Sequence, residues 1–336
     1  MSYIEISREN FFYNLNQIAA RTQSPERIAL VLKDNAYGHG LLTTARLAAE
    51  AGVRHAVVRR MAEAEAVAEL FETVLVLSDL PAAVPSEGVR IAVNDRSHLA
   101  KLPPKTTVEL KIDTGMHRNG ISPEEAESAV EEAMKRGLEV AGIMTHYRSA
   151  DEMGSEFFWQ KKRFEALRLR LEKGGLAGVR WHSCNSAALF RQSTFDEDIA
   201  RIGIAAYGCL RMPSAFKVPE LRPVMRLWAE RLAKRKLAPG ERIGYGGEGE
   251  LPEGGVVSTY DLGYGDGWPR GDAENPYPLP DGRRVRGRVS MDMLSVDGSD
   301  GKICLFDDAR VAAAHFGTIA YEILVKLSPS IPRIVV

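Results

Sequence analysis

Short apolar runs alternate with helical patterns over the first two-thirds of the chain. The runs are IALVLK (28–33), HAVV (55–58), VLVLS (74–78), RIAV (90–93), VELKID (108–113), EVAGIMTH (139–146), VRWHSC (179–184) and DIARIG (198–203). Amphipathic stretches at 41–51, 61–71, 123–135 and 155–173 lie between most of them. The third and fourth runs are joined only by a Pro-rich loop, 80–88. Strand-length runs separated by segments of 3.6-residue period predict βαβ units on a parallel sheet. Eight such runs within about 200 residues fit a (β/α)8 TIM barrel. A doubly wound open sheet is the alternative.

The pattern changes near residue 220. Residues 220–336 hold 16 of the 30 glycines and 9 of the 17 prolines. Short runs at 255–262, 284–289 and 302–306, set between Gly/Pro turns, predict an all-β domain. The final PSIPRIVV reads as an edge element, because sheets tolerate proline at their edges. The expected division is a barrel over 8–219 and a strand domain over 220–336.

Charge narrows the partners. Lys plus Arg is 44 and Asp plus Glu is 45, a net −1, so nucleic acid and anionic membranes are poor candidates. The three cysteines are too scattered for a disulfide framework. MSYIEISREN has neither the basic nor the apolar region of a signal peptide. The expectation is a cytoplasmic two-domain enzyme.

Polar residues that a core would not choose stand where the predicted strands end. Lys33 closes the first run, with Asn35-Ala36-Tyr37-Gly38-His39-Gly40 just after it. Asp113 closes the fifth run and Arg118 follows; His146 closes the sixth. His182 and Asn185-Ser186 come at the seventh, and Arg201 at the eighth. In a barrel these ends converge on one face, where active sites are built. A strand-end lysine among apolar residues loses water, its pKa falls, and it can form a Schiff base. Alone, Lys33 reads more simply as a salt-bridged lysine. Ser186 and the amides of Gly203 and Ile204 suit a phosphate, although Asn185-Ser186 is also a helix N-cap. An arginine such as Arg201 more often pairs with a carboxylate. Lysine, phosphate cradle and arginine together suit pyridoxal phosphate.

Three signals are set aside. Gly244 to Gly249 matches G-x-G-x-x-G, but no helix is expected after it, so it is not a dinucleotide fingerprint. The seven histidines are dispersed, and neither H-x-x-x-H nor C-x-x-C occurs, so no metal site is expected. Cys184, near His182, reads as a buried structural thiol.

VLKDNAYGHG (31–40) resembles the cofactor-lysine motif of alanine racemases. The resemblance continues through KIDTGMHRNGI (111–121), MTHYRSADE (144–152), HSCNSAA (182–188), RIGIAAYG (201–208), IGYGGEG (243–249), LGYGDGWPR (262–270), GRVSMDM (287–293) and GTIAYEI (317–323). It implies a barrel carrying pyridoxal phosphate and a strand domain that residues 1–7 join. It also implies an obligate homodimer with shared active sites, and a two-base interconversion of L- and D-alanine that supplies peptidoglycan. Carried over by position, Lys33 holds the cofactor, while Tyr37, Ser186, Gly203, Ile204 and Tyr321 take its phosphate. Arg201 faces its pyridine nitrogen, and His146, His182 and Asn185 count among its contacts. Tyr245 of the other subunit is the second base, helped by His146. Arg118 and the Met291 amide hold the substrate carboxylate, and Tyr264, Arg288 and Asp292 line the entrance. Lys111 matches a position carbamylated in some members, where it would hold Arg118.

The chain departs from the family pattern at Asp34, where alanine is usual, at Ser290, where cysteine is common, and at its C-terminus. The competing readings are a racemase of the same fold for serine or larger side chains, and a non-catalytic cofactor carrier, which would have no use for Tyr245. A metal-dependent aldolase would need a His/Cys pair, and only His315 and Cys304 lie in the second part. Tyr264, Tyr321 and Met291 at the pocket edge favour a small side chain. One methylene gives only ~1–3 kcal/mol of discrimination, so some action on serine is expected.

Overall fold

The structure, a computed structural model, describes residues 1–336. After a first strand, β1 (Tyr3–Ile6), and a helix (Arg8–Thr22), the eight predicted runs form β2 (Ile28–Val31), β3 (His55–Val58), β4 (Thr73–Val76), β5 (Val89–Val93), β6 (Thr107–Lys111), β7 (Glu139–Met144), β8 (Arg180–His182) and β9 (Ala200–Ile202). All pair in parallel, in the order β8-β7-β6-β5-β4-β3-β2-β9. Arg201 N–H donates to Cys184 O at 2.9 Å and Asp198 N–H to Trp181 O at 3.2 Å. These bonds bring the two edges together, and the sheet closes as a TIM-type barrel. Helices at Leu41–Glu50, Met61–Val67, Ala126–Lys135 and Glu156–Lys173 occupy the amphipathic stretches. Strands covered on both faces are apolar almost throughout, as β2 and β4 are.

The second part is built on β10 (Met225–Leu237), which pairs with β1, Gly255–Tyr260 and Lys302–Phe306. Arg333–Val335 adds in parallel to β1 as the sheet's edge, so the N-terminus joins this sheet, not the barrel. Two points differ from the sequence reading. Residues 284–289 form no strand; only single bridges hold Arg284 to Pro278 and Val285 to Val296. Gly282 and Gly287, with φ of 88° and 70°, interrupt the pleat. The strand domain also carries two short helices, Ala309–His315 and Ala320–Lys326. Asp308 caps the first by accepting from the Arg310 N–H at 2.8 Å.

The barrel interior is unusually polar. Alternate residues of a barrel strand face inward, and here they include His55, Thr73, Arg90, Glu109, Arg180, His182 and Arg201. Glu109 Oε1 accepts from Arg90 Nη1 at 3.1 Å and pairs with Arg180 Nη2 at 2.6 Å. Its Oε2 accepts from His182 Nε2 at 2.7 Å. Arg180 Nη1 also donates to Thr73 Oγ1 at 3.0 Å. Gly142 of β7 lies in register between Glu109 and Arg180. A Cβ there would stand 3.0 Å from Glu109 Cγ, so a glycine leaves room for the network.

The segment leaving the barrel is tied to the first helix by Asn14, which is fully buried. Its Nδ2 donates to Ala206 O at 3.1 Å and Arg222 O at 2.7 Å, and its Oδ1 accepts from Arg222 N–H at 2.8 Å. Asn14→Ala leaves these three backbone groups unpaired in the interior. It should destabilise the chain by roughly 2–4 kcal/mol, read as a lower urea midpoint. An unchanged midpoint would show that the tie contributes nothing.

Candidate active site

The C-terminal ends of the barrel strands surround a cavity of about 830 Å³, closed on one side by the helix that carries Tyr321. Lys33, Tyr37, Arg118, His146, Asn185, Ser186, Arg201, Gly203, Ile204 and Tyr321 all line it. The lysine arrives directly after β2. Its side chain makes no hydrogen bond or ion pair within the chain, and burial holds its amine below the usual lysine range.

The backbone after Lys33 is the strained part of the site. Asp34, Asn35, Ala36 and Tyr37 have φ of 54°, 56°, 53° and 51°, one turn of left-handed helix made without glycine. Each residue in this region costs about 1–2 kcal/mol, and such strain persists only where the surroundings over-determine it. Glu63 Oε1 accepts from Asp34 N–H at 2.9 Å, and Asn35 Oδ1 accepts from Leu41 N–H at 2.8 Å. His39 Nδ1 reaches Tyr37 O at 3.0 Å, and Arg333 Nε donates to Gly38 O at 3.0 Å. Gly38 presses on the Leu324 carbonyl, where any side chain would collide. The turn sets the Tyr37 ring 5.7 Å from Tyr321 and 5.1 Å from Tyr207. Asp34 pairs with Arg59 at 3.2 Å at the rim.

Opposite the turn, Ser186 Oγ accepts from the N–H groups of Gly203 at 3.2 Å and Ala205 at 3.3 Å. The Ile204 N–H, also buried, has no protein acceptor. A Cβ on Gly203 would lie 2.6 Å from the Tyr37 hydroxyl. Burial raises both the Tyr37 and Tyr321 phenols, the latter to about 12, so both remain donors. Asn185 is the N-cap of Ser186–Arg191, accepting from Ala188 N–H at 2.9 Å.

Arg201 is buried at the centre. Nη1 donates to His182 Nδ1 at 2.6 Å and His182 O at 3.0 Å, and Nη2 to Thr145 O at 2.6 Å and Ser183 O at 3.2 Å. Four of its five N–H groups are committed, and the Nε–H is the one left. Burial, with Arg201 next, keeps His146 well below the usual histidine range and therefore neutral. Burial and the nearby Arg118 bring Lys111 down to about 8, and its Nζ donates to Asn119. Arg118 itself is exposed and unpaired at the mouth.

Two groups of expected residues lie elsewhere. His182 does not line the cavity; it sits behind Arg201 with both ring nitrogens engaged. Tyr245, Tyr264 and Met291 are on the strand domain, 69%, 43% and 57% exposed, with Asp292 beside them and Arg288 paired to Glu248. Within one chain they do not meet the Lys33 cavity. Sequence reading missed Glu109, although a carboxylate in the middle of an apolar strand was a signal. It also missed Tyr207, whose hydroxyl donates to Val31 O at 2.9 Å beneath Tyr37.

The family model of the alanine racemase N-terminal domain matches residues 6–211, and that of the C-terminal domain residues 224–335. An alanine racemase of Nitratiruptor sp. is 42% identical, covering 99% of each chain. The alanine racemase structure from Clostridium difficile superposes with a TM-score of 0.90 at 27% identity, over 100% of this chain and 95% of that one. The Bacillus anthracis alanine racemase with bound L-Ala-P gives 0.87 at 26% identity, over 100% and 95%. The chain belongs to the alanine racemase family.

Proposed function

We propose that this chain interconverts L- and D-alanine with pyridoxal phosphate held at Lys33, and that Tyr245 of a second copy completes each site. The observation that carries the reading is the cavity itself, where an unpaired lysine amine, one free Arg201 N–H and a set of phosphate donors face a common space. The residues fit the cofactor. Ile204 has a buried N–H without a partner, and Gly203 leaves the gap beside Tyr37 that any side chain would fill. Tyr37, Ser186, Gly203, Ile204 and Tyr321 would take its phosphate, and the Arg201 Nε–H its ring nitrogen. When bound, the cofactor draws electrons from the substrate α-carbon and makes the α-proton removable.

The rest is work for the chain's own groups. Inversion removes the proton from one face and returns one to the other, so two proton carriers must stand on opposite sides. Lys33, its pKa lowered by burial, serves one face from the barrel, and Tyr245 serves the other. Tyr245, Tyr264 and Met291 are exposed together on the strand domain, which suits a surface that a second copy's cavity covers. Arg118 carries an unpaired guanidinium for the substrate carboxylate. Arg201 cannot readily surrender a proton, so its Nε–H would leave the ring nitrogen of a bound cofactor unprotonated. That restrains electron withdrawal and disfavours transamination.

Purified protein given pyridoxal phosphate and L-alanine should form D-alanine until the enantiomers are equal. Borohydride should fix a pyridoxyl group to Lys33, located by peptide mass spectrometry. Absence of D-alanine, or an adduct on another lysine, would contradict the assignment.

Shared sites make a second expectation. Lys33→Ala and Tyr245→Phe should each be nearly inactive. Co-refolded in equal amounts, they should pair at random into about half heterodimers, each with one intact site, and recover roughly a quarter of wild-type activity. No recovery, with heterodimers verified by differential tags, would place both groups in one subunit.

A further inference from the structure

We propose that Glu109 is a positioning residue for the reaction: through the His182 ring it fixes how Arg201 presents its remaining N–H to the cavity. The inference rests on the reading that Arg201 meets the cofactor's ring nitrogen.

Glu109 is fully buried, and its two oxygens are divided. Oε1 takes both arginines, Arg90 and Arg180, while Oε2 takes only His182 Nε2, at 2.7 Å. Bridging the two guanidinium groups accounts for the first oxygen and leaves the second unexplained. His182 is wholly enclosed, and burial brings it down to about 4, so its ring carries one proton at neutral pH. The surrounding arginines, above all Arg180, keep Glu109 ionised despite its burial. A carboxylate can only accept, so the proton resides on Nε2. At the other end Arg201 Nη1 can only donate, so Nδ1 must accept, and the contact there is 2.6 Å. Both neighbours demand the same tautomer.

The opposite tautomer would set Nδ1–H against Nη1–H, donor against donor. The guanidinium would then have to turn, and its Nε–H with it. The logic is that of a carboxylate holding a catalytic imidazole, where the amide replacement leaves the wrong tautomer. Glu109 stands behind His182 and does not line the cavity, so its influence must pass through the ring. Gly142 supports the arrangement independently, because a Cβ there would stand 3.0 Å from both Glu109 Cδ and Cγ.

The test uses the cofactor-free protein labelled with ¹⁵N-histidine, with the His182 signal assigned by its loss in His182→Gln. Wild type should show a protonated Nε2 and a bare Nδ1. Glu109→Gln, whose amide can turn its N–H toward the ring, should populate the Nδ1–H form. It should also weaken pyridoxal phosphate binding roughly tenfold, the scale seen when the outer partners of liganding imidazoles are removed. Gly142→Ala keeps every charge and both demands on the ring but crowds the carboxylate, so it should weaken cofactor binding in the same direction with His182 still protonated at Nε2, even if Glu109→Gln does not fold. An Nδ1–H or doubly protonated His182 in wild type would overturn the proposal. So would a folded Glu109→Gln with unchanged tautomer and affinity, or a folded Gly142→Ala with unchanged affinity. If the tautomer is as stated but borohydride fails to label Lys33 in wild type, the cofactor reading fails and the buried relay stands.

Discussion

A positive charge enclosed at the centre of a barrel must have most of its donors satisfied, because buried polar and charged groups without partners cost several kcal/mol. Arg201 meets this demand with two nitrogens and four acceptors, three of them backbone carbonyls from the last residue of β8 and the residues just after β7 and β8. The rest of the site depends on that arrangement. The strands must end where those carbonyls converge, His182 must present a bare Nδ1, and Glu109 must lie behind it. Only then does a single N–H remain for a ligand, at a position the protein leaves no freedom to vary.

The lysine side of the cavity is built differently. There the constraint is backbone strain, four left-handed residues in succession, opposed by hydrogen bonds from two separate parts of the chain and close packing from a third. Glu63 reaches in from the helix after β3, Arg333 from the last strand, and Leu324 presses on Gly38 from the final helix. The strand domain thus helps fix the turn after Lys33 in its own chain, and it carries Tyr321 to the cavity wall. Two independent devices, an arginine with four of its five N–H groups committed and an over-determined turn, hold the walls of one cavity.

Much of this was legible before folding. Apolar runs such as IALVLK and HAVV located the barrel strands because parallel strands are buried on both faces. Lys33, His146 and Arg201 stood out because polar residues at such runs' ends violate the core pattern. Glu109 was harder to see, since one carboxylate inside VELKID does not disturb the run, and its partners lie on β5 and β8, far along the sequence. The left-handed turn was hidden for another reason. Asn35 is the residue in it that tolerates that conformation most readily, and the bonds that enforce it come from Glu63 and Arg333. Residues 284–289 misled because their alternation is real while Gly282 and Gly287 bend the backbone out of register. His182 looked like a cavity residue from its strand-end position, but its ring turns behind Arg201.

In the proposed site, Arg201 would offer one hydrogen bond and no proton to the ring of bound pyridoxal phosphate. The most direct measurement is the ¹⁵N chemical shift of the pyridine nitrogen in wild-type protein loaded with ring-¹⁵N pyridoxal phosphate at neutral pH. The expected shift is that of an unprotonated, hydrogen-bonded nitrogen, moving to the free-base value when Arg201 is replaced by Leu. A pyridinium shift in wild type would contradict it.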